Sequence, residues 1–125
     1  MTVSTKAGLR VLVCGGRDYD DWVSLRRRLL NLHADQGIAL VIHGGCPTGA
    51  DHLAAVFASQ QGIPCAEMVA HWSALGRKAG PVRNQWMLDL LKPDLVLGFP
   101  GGAGTADMLS RARAAGIPVQ GGDEP

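Results

Sequence analysis

The sequence is poor in aromatic and charged residues and has no long hydrophobic segment. Aromatic residues make up 5% of the 125 positions and charged residues 18%, with a net charge of +1. A groove for single-stranded nucleic acid needs aromatic platforms and extended positive charge, so nucleic acid is disfavoured as a partner. No segment approaches the ~20 apolar residues of a membrane-spanning helix, and the first ten residues lack the apolar stretch of a signal peptide. We therefore expect a cytoplasmic protein with no membrane partner.

Cysteine is also scarce. Cys14, Cys46 and Cys65 are odd in number and lack Cys-x-x-Cys spacing, which disfavours both a disulfide framework and a zinc knuckle. The histidines have irregular spacing and no accompanying cluster of cysteines or carboxylates. The sequence therefore predicts no metal and no cofactor.

Apolar runs alternate with helix-like patterns along the whole chain. The runs are nearly continuous, which predicts strands buried on both faces, as in a parallel sheet. Five strands are predicted, at Leu9–Cys14, Ile38–His43, Pro64–Val69, Asp94–Phe99 and Ile117–Val119. Four helices are predicted, at about Asp20–Gln36, Gly49–Gln61, Pro81–Leu91 and Thr105–Ala115. We expect a single α/β domain over residues 1–125, with a three-layer, Rossmann-like, doubly wound parallel sheet and a frayed tail at residues 120–125.

Three of the predicted helices end in the same way. Gly37, Gly62 and Gly116 each stand before an isoleucine near the start of the next predicted strand. Glycine adopts a left-handed backbone conformation easily, so these glycines are predicted to be C-terminal caps with short returns to the sheet.

Glycine is concentrated in the loops that follow the first four predicted strands. The carboxyl ends of parallel strands share one edge of the sheet, where open α/β sheets bind their ligands. For any single loop, the need of a turn for glycine is an alternative explanation. The glycines concerned are Gly15, Gly16, Gly44, Gly45, Gly49, Gly76, Gly80, Gly101, Gly102 and Gly104.

The fourth loop is the strongest candidate for a phosphate site. A buried strand, a glycine-rich turn and a helix starting near Thr105 bring backbone N–H groups and the positive end of a helix dipole together. Gly101, Gly102, Gly104 and Thr105 are expected to bind one phosphate group.

The second loop is expected to form the other wall of the site. The spacing of Gly44 and Gly49 matches the start of a Walker A loop, but Ala50-Asp51 replaces the Lys-Ser/Thr of that motif, so no conventional NTPase loop is present. Asp51 is a candidate ligand for a ribose hydroxyl, or else it forms a capping box with Thr48. The predicted binding residues of this loop are Gly44, Gly45, Thr48, Gly49 and Asp51.

The first loop contains Gly15, Gly16, Arg17 and Asp18. It lacks the G-x-G-x-x-G fingerprint, which disfavours a standard NAD dehydrogenase. Arg17 and Asp18 stand where a base, ribose or phosphate would lie, and Arg17 is expected to face the nucleoside. A local contact between these two side chains is the alternative.

The third loop carries a local excess of positive charge. The segment 68–88 has no acidic residue but contains Arg77, Lys78 and Arg83. The adjacent aromatic residue Trp72 would either stack on a base or cover the loop.

Arg83 is the most informative of these cations. It is predicted in the first turn of a helix, where the dipole disfavours a cation by roughly 0.3–1 kcal/mol. A guanidinium binds phosphate bidentately, so we expect Arg83, with Lys78 and Asn84, to bind the ligand. The alternative is a structural ion pair of Arg83 with Asp89 or Asp94.

Together these segments resemble the SLOG superfamily, and in particular its YspA/cpYpsA-related branch, also described as the DUF2493 type. The matching segments are Gly15–Tyr19, Gly44–Asp51, Ala79–Met87 and Phe99–Met108. The last is similar to the Pro-Gly-Gly-x-Gly-Thr-x-x-Glu signature of LOG-type proteins. The resemblance implies a Rossmann-like fold that binds nucleotides or nucleotide-derived ligands. It also implies a homodimer, for which Trp22 and Trp86 are candidate interface residues unless both belong to the core.

The resemblance also bears on catalysis. LOG phosphoribohydrolases cleave the N-glycosidic bond of cytokinin riboside monophosphates with an arginine and the glutamate that ends the glycine motif. Arg83 retains the first, but Met108 replaces the second, and a thioether cannot stabilise an oxocarbenium-like centre. We therefore expect sensing or sequestration of a ligand. One alternative is a nucleotide N-glycosidase that uses Asp107, Asp18 or Asp51, and another is a single-stranded DNA binder.

Overall fold

The computed structural model describes residues 8–121, in which five strands alternate with helices. The strands are β1 Leu9–Cys14, β2 Ile38–His43, β3 Cys65–Glu67, β4 Leu95–Gly98 and β5 Val119–Gly121. The helices are α1 Trp22–Gln36, α2 Gly49–Gln61, α3 Trp72–Leu75, α4 Ala79–Leu91 and α5 Ala103–Ala114, with a 3-10 turn at Gly76–Lys78.

The five strands form one parallel sheet in the order β3-β2-β1-β4-β5. The central strand β1 pairs with β2 on one side and with β4 on the other, so that Val11 is aligned with both Val41 and Leu95. The chain places β2 and β3 on one side of β1 and then β4 and β5 on the other side. The carboxyl ends of β1 and β4 are therefore the topological switch point. The predicted Rossmann-like α/β class is confirmed.

Successive residues of β1 contribute to two separate cores. Val11 packs in a cluster with Phe57 of α2, whereas Leu12 packs in a second cluster with Met87 of α4 and Leu109 of α5. Alternate side chains of a strand point to opposite faces, and both faces are covered by helices. The nearly continuous apolar pattern of the strand follows from this double burial.

The limits of β1, β2 and α2 agree with the prediction, and the other elements differ by a few residues. Helix α1 begins at Trp22 rather than near Asp20, because the Asp21 carboxylate accepts a hydrogen bond from the Ser24 N–H and caps the helix. Helix α4 begins two residues before Pro81. The proline still lies among the first four helix residues, whose N–H groups have no partner within the helix.

The segment between β3 and α4, the start of α5 and the limits of β5 also differ from the prediction. The helical segment from Trp72 to Lys78 was not predicted. Helix α5 begins at Ala103 rather than near Thr105. Strand β5 extends two residues into the predicted tail, and residues 122–125 lie outside the described residues.

The predicted helix ends are confirmed in part. Gly62 has the left-handed conformation that was predicted, and its N–H donates to the carbonyl groups of Ala58 and Ser59. Gly37 also has a positive φ of 78°, but its ψ of 139° is extended. The prediction of a left-handed cap is wrong at Gly37, because the chain there passes directly into β2. Of the helices in residues 8–121, none combines the length and apolar character needed to cross a membrane.

Candidate functional site

A cleft of about 1140 Å³ lies at the carboxyl edge of the sheet. It is at the topological switch point, where small-molecule sites of open α/β sheets are found. Most of the residues predicted to bind a ligand meet there. They are Gly15, Gly16, Arg17, Asp18, Gly44, Gly45, Thr48, Asp51, Arg83, Asn84, Gly101, Gly102, Gly104 and Thr105.

One wall of the cleft is the uncapped start of α5. Among the described residues no side chain caps this helix, and its first turn has no acidic residue. Within residues 8–121, no backbone carbonyl accepts a hydrogen bond from the N–H groups of Ala103, Gly104 or Thr105. These N–H groups lie at the positive end of the helix dipole, so the start of α5 is suited to an anion.

The glycines of this wall serve different purposes. A Cβ atom on Gly101 would collide with the Thr105 hydroxyl and with the backbone nitrogen of Gly16. A Cβ atom on Gly102 or Gly104 would have nothing within 4 Å, and neither residue has a positive φ. The fold therefore requires glycine at position 101, whereas the space beside Gly102 and Gly104 is open to a ligand.

Arg83 extends from α4 into the same cleft. Its Nη1 donates hydrogen bonds to the carbonyl oxygens of Gly44, at 2.8 Å, and Met68, at 3.2 Å. Its Nε donates to Oδ1 of Asn84, at 3.0 Å. Because α4 begins at Ala79, Arg83 lies in the second turn, and the predicted conflict with the helix dipole is smaller than the sequence indicated.

The positive charge of Arg83 has no ion-pair partner among the described residues. The predicted alternative is absent, because Asp89 accepts a hydrogen bond from Gln85 and Asp94 accepts one from the backbone of Arg10. Burial lowers the pKa of Arg83 from its ordinary value, although a guanidinium remains charged in proteins. The Nη2 group makes no hydrogen bond to another residue in 8–121, so its two N–H donors are available to a ligand.

Asp51 lies in the first turn of α2, and its Oδ2 would be 3.1 Å from a Cβ atom on Gly44. Its Oδ2 accepts a hydrogen bond from the N–H of Cys46, at 3.1 Å. Burial raises the pKa of Asp51, while the Cys46 hydrogen bond and the charge of Arg83 oppose the increase. Asp51 is therefore a carboxylate that lines the cleft close to an unpaired cation.

The predicted capping box at the start of α2 does not form. The Thr48 hydroxyl donates to the carbonyl oxygen of Arg17, at 2.8 Å, and makes no cap to its own helix. This bond joins the first and second loops. The side chains of Arg17 and Asp18 are exposed and form no hydrogen bond or ion pair with each other or with another residue in 8–121, so their predicted local contact is absent.

Three predicted residues do not line the cleft: Gly49, Lys78 and Asp107. Gly49 has a φ of 71° and lies against the backbone of Gly16 and Arg17, so it permits the close packing of two loops. Lys78 is exposed in the 3-10 turn.

Asp107 is occupied by other side chains. Its Oδ2 accepts hydrogen bonds from Nε of Arg111, at 2.8 Å, and from Nδ2 of Asn84, at 3.0 Å. Burial raises the pKa of Asp107, but these two hydrogen bonds outweigh that effect and hold the pKa below its ordinary value. The structure therefore gives Asp107 a supporting role, and Asp51 is the half-buried carboxylate that lines the cleft.

Asn84 connects the two walls of the cleft. The side chain is 4% exposed, and besides its bonds to Arg83 and Asp107, its Nδ2 donates to the carbonyl oxygen of Gly104, at 3.3 Å. The Asn84 amide thereby links the guanidinium of Arg83 to the first turn of α5.

His43 supports the second loop, a role that the sequence analysis did not assign. The imidazole is 4% exposed, and its Nδ1 accepts a hydrogen bond from the N–H of Gly45, at 2.9 Å. Burial lowers the pKa of His43. The sequence signal that could have identified this role is a polar residue at the end of an apolar strand. Within residues 8–121, no group of three or more histidine, cysteine or acidic residues could hold a metal ion.

The N-terminal half of the chain is similar to a known family. A family model described as "YAcAr: YspA, cpYpsA-related SLOG family" matches residues 9–74, a little more than half of the chain. The matched segment runs from β1 into α3 and includes the first two loops of the cleft, whereas Arg83 and α5 lie beyond it. No curated protein and no solved structure matches the chain significantly.

Proposed function

Because the chain belongs to the YspA, cpYpsA-related SLOG family, we propose that it binds a phosphorylated nucleotide or nucleotide-derived molecule in the cleft at the carboxyl edge of the sheet. Membership of the family suggests a nucleotide-related Rossmann-like domain. In this proposal the protein senses or sequesters its ligand, which is a small molecule rather than a nucleic acid.

The observation that carries the proposal is the pairing of the α5 start with Arg83. Among residues 8–121, the N–H groups of Ala103, Gly104 and Thr105 have no hydrogen-bond partner. No carboxylate of these residues lies within ion-pair distance of the Arg83 guanidinium, and the nearby Asp51 acts on its charge only from a longer distance. The free N–H groups of the helix start and the free Nη2 group of Arg83 line one cleft, and a phosphate dianion can accept hydrogen bonds from both. Gly102 and Gly104 leave the space in which such a group would stand.

The two helix starts at this edge differ in charge, which gives the ligand an orientation. Helix α2 has Asp51 in its first turn, whereas α5 has no acidic residue there. A phosphate is repelled by a carboxylate, and a ribose hydroxyl can donate a hydrogen bond to one. The proposed ligand therefore has its phosphate at α5, its ribose near Asp51 and its nucleoside within reach of Arg17.

Titration calorimetry with nucleoside 5′-monophosphates tests this proposal. We expect wild-type protein to bind at least one of them, and Arg83→Ala to weaken binding about 10- to 150-fold, the equivalent of losing a charged hydrogen bond of ~1.5–3 kcal/mol. Arg77→Ala is the matched control, because Arg77 is an exposed cation outside the cleft. Equal losses in the two variants, or no binding by wild-type protein, would contradict the proposal.

The position of Asp51 favours a second candidate function, hydrolysis of the N-glycosidic bond. In this reaction a water molecule supplies the new bond at C1′ and the base leaves with a proton. Asp51 is half-buried in the cleft near Arg83, and a carboxylate in such a place can stabilise the oxocarbenium-like centre. Met108, which replaces the glutamate of the LOG signature, lines the cleft as well but carries no charge.

Release of free base from nucleoside monophosphates, followed by chromatography, tests the second candidate. We expect Asp51→Asn to abolish any release, and Asp107→Asn to reduce it only modestly because Asp107 is held by Arg111 outside the cleft. Tight binding of a nucleotide without any release of base would contradict hydrolysis and would support binding as the function.

The oligomeric state is a separate part of the proposal. Trp22 is half-buried against the core, whereas Trp86 is 43% exposed on α4, and Leu90 lies one turn further along. We propose a homodimer in which Trp86, rather than Trp22, is the main contact. Sedimentation equilibrium of wild-type protein and Trp86→Ala tests this, and a wild-type protein that sediments only as a 13.1 kDa monomer contradicts it.

A further inference from the structure

We propose that Trp72 is the stacking platform for the base of the bound nucleotide, and that α3 with the following 3-10 turn presents it to the cleft. The inference rests on the proposed function and adds to it the position of the base. It makes Trp72 the residue that distinguishes a nucleotide from a simple sugar phosphate.

Trp72 lines the cleft but is not part of the core. Its side chain is 55% exposed, and neither α3 nor the 3-10 turn contains a buried residue. Burial of a tryptophan is worth several kcal/mol in a core, so an indole left open beside a ligand cleft is not explained by folding alone. A planar ligand that covers the indole would use this apolar surface.

The indole is nevertheless held in a defined place by Gly80. A Cβ atom on Gly80 would lie 3.2 Å from Cη2 of Trp72, with Cζ3 and Cζ2 at 3.8 and 3.9 Å. The six-membered ring therefore rests on the backbone of α4. Gly80 is the second residue of α4, and the close approach of the indole is a physical reason for glycine at this position.

The surroundings of Trp72 differ in chemistry from the start of α5. Val69 and Ala70, close to Trp72 in the chain, also line the cleft, whereas the α5 side presents free backbone N–H groups, Gly102 and Gly104. One cleft thus combines an apolar aromatic region and an anion-binding region. A molecule with a phosphate and a nucleobase carries both complementary parts.

Comparing adenosine 5′-monophosphate with ribose 5-phosphate tests this inference, because the second compound has the phosphate and sugar but no base. In wild-type protein we expect the nucleotide to bind more tightly. Trp72→Ala is expected to weaken nucleotide binding about 5- to 150-fold, the range of base–aromatic stacking, and to leave ribose 5-phosphate binding within about twofold of its wild-type value. Trp72→Phe keeps an aromatic face and is expected to retain most of the affinity.

Leu75→Ala is the matched control, because Leu75 is an exposed apolar residue of the same helix that does not line the cleft. It is expected to leave both affinities unchanged. A second variant, Gly80→Val, should displace the indole without removing it. Like Trp72→Ala, it should weaken nucleotide binding.

The outcomes separate this inference from the proposed function. If both compounds bind wild-type protein equally and Trp72→Ala changes neither affinity, Trp72 is not a platform, yet the phosphate site stands. A Trp72→Ala variant that weakens both compounds to the same extent also overturns the platform, since the effect is then independent of the base. Failure of wild-type protein to bind either compound overturns both proposals.

Discussion

The guanidinium of Arg83 occupies the space in which a side chain on Gly44 would stand. A Cβ atom on Gly44 would lie 2.5 Å from Nη1 and 2.9 Å from Cζ of Arg83, and Nη1 donates to the carbonyl oxygen of the same glycine. Glycine at position 44 is therefore a condition for the position of the arginine. This contact couples the second loop to α4.

Gly44→Ala is expected to weaken nucleotide binding about tenfold or more while the protein stays folded. The new methyl group displaces the flexible end of Arg83, and the backbone of Gly44 has no positive φ that alanine would strain. Calorimetry of Gly44→Ala, Arg83→Ala and the double variant tests the coupling. Because both changes remove the same contact, the double variant should bind no worse than Arg83→Ala. Additive losses would contradict this prediction.

Two neighbouring glycines in the fourth loop are expected to behave differently. Gly101→Ala places a methyl group against Thr105 and Gly16, so we expect the free energy of unfolding to fall by about 1–3 kcal/mol. Gly102→Ala meets no atom within 4 Å and should leave stability within about 0.5 kcal/mol of wild type. Urea denaturation measures both values. Gly102→Ala should nevertheless weaken phosphate binding, because its methyl group extends into the cleft.

Loss of the Asn84 amide is expected to affect stability and binding together. Asn84→Ala removes hydrogen bonds to Arg83, Gly104 and Asp107 in a buried place. We expect a loss of about 1–3 kcal/mol in the free energy of unfolding, measured in urea, since a buried partner is left unsatisfied. Weaker nucleotide binding should accompany it, because Arg83 loses its Nε partner.

Gln85→Ala is the control for Asn84→Ala. Gln85 is the next residue of α4 and bonds Asp89 and Arg111 at a more exposed place, so its removal should cost less than about 1 kcal/mol and leave nucleotide affinity unchanged. An Asn84→Ala variant with wild-type affinity would show that the amide does not position the guanidinium.

The protein is expected to lose stability as the pH falls below about 6.5, the ordinary pKa of histidine. Burial lowers the pKa of His43, opposed by the charges of Asp51 and Glu67. The unfolded chain then binds a proton at higher pH than the folded protein does. The stability is thus fully present above the unfolded pKa and decreases as the pH falls toward the folded pKa, by at most about 1.4 kcal/mol per pH unit.

Urea denaturation between pH 5 and pH 8 tests the role of His43. His43→Asn removes the titrating group and should reduce this dependence on pH. His52→Asn, at an exposed position of α2, should retain it. The same slope in wild type and His43→Asn would assign the pH dependence to another group.

The sequence alone determined the class of fold and the edge of the sheet that holds the cleft. Strand and helix patterns depend on neighbours a few residues apart, and so does the glycine-rich turn before Thr105. These local signals located β1, β2 and α2 and assembled most of the predicted binding residues in one cleft.

The partners of the charged groups were decided only by the tertiary structure. Arg83 bonds carbonyl groups 15 and 39 positions away. Asp107 is engaged by Arg111 and Asn84, and Asp51 rather than Asp107 lines the cleft. Each of these choices depends on how α2, α4 and α5 pack against the two faces of the sheet. Helix packing is set by the fit of the whole core, and no local pattern around a charged residue carries that information.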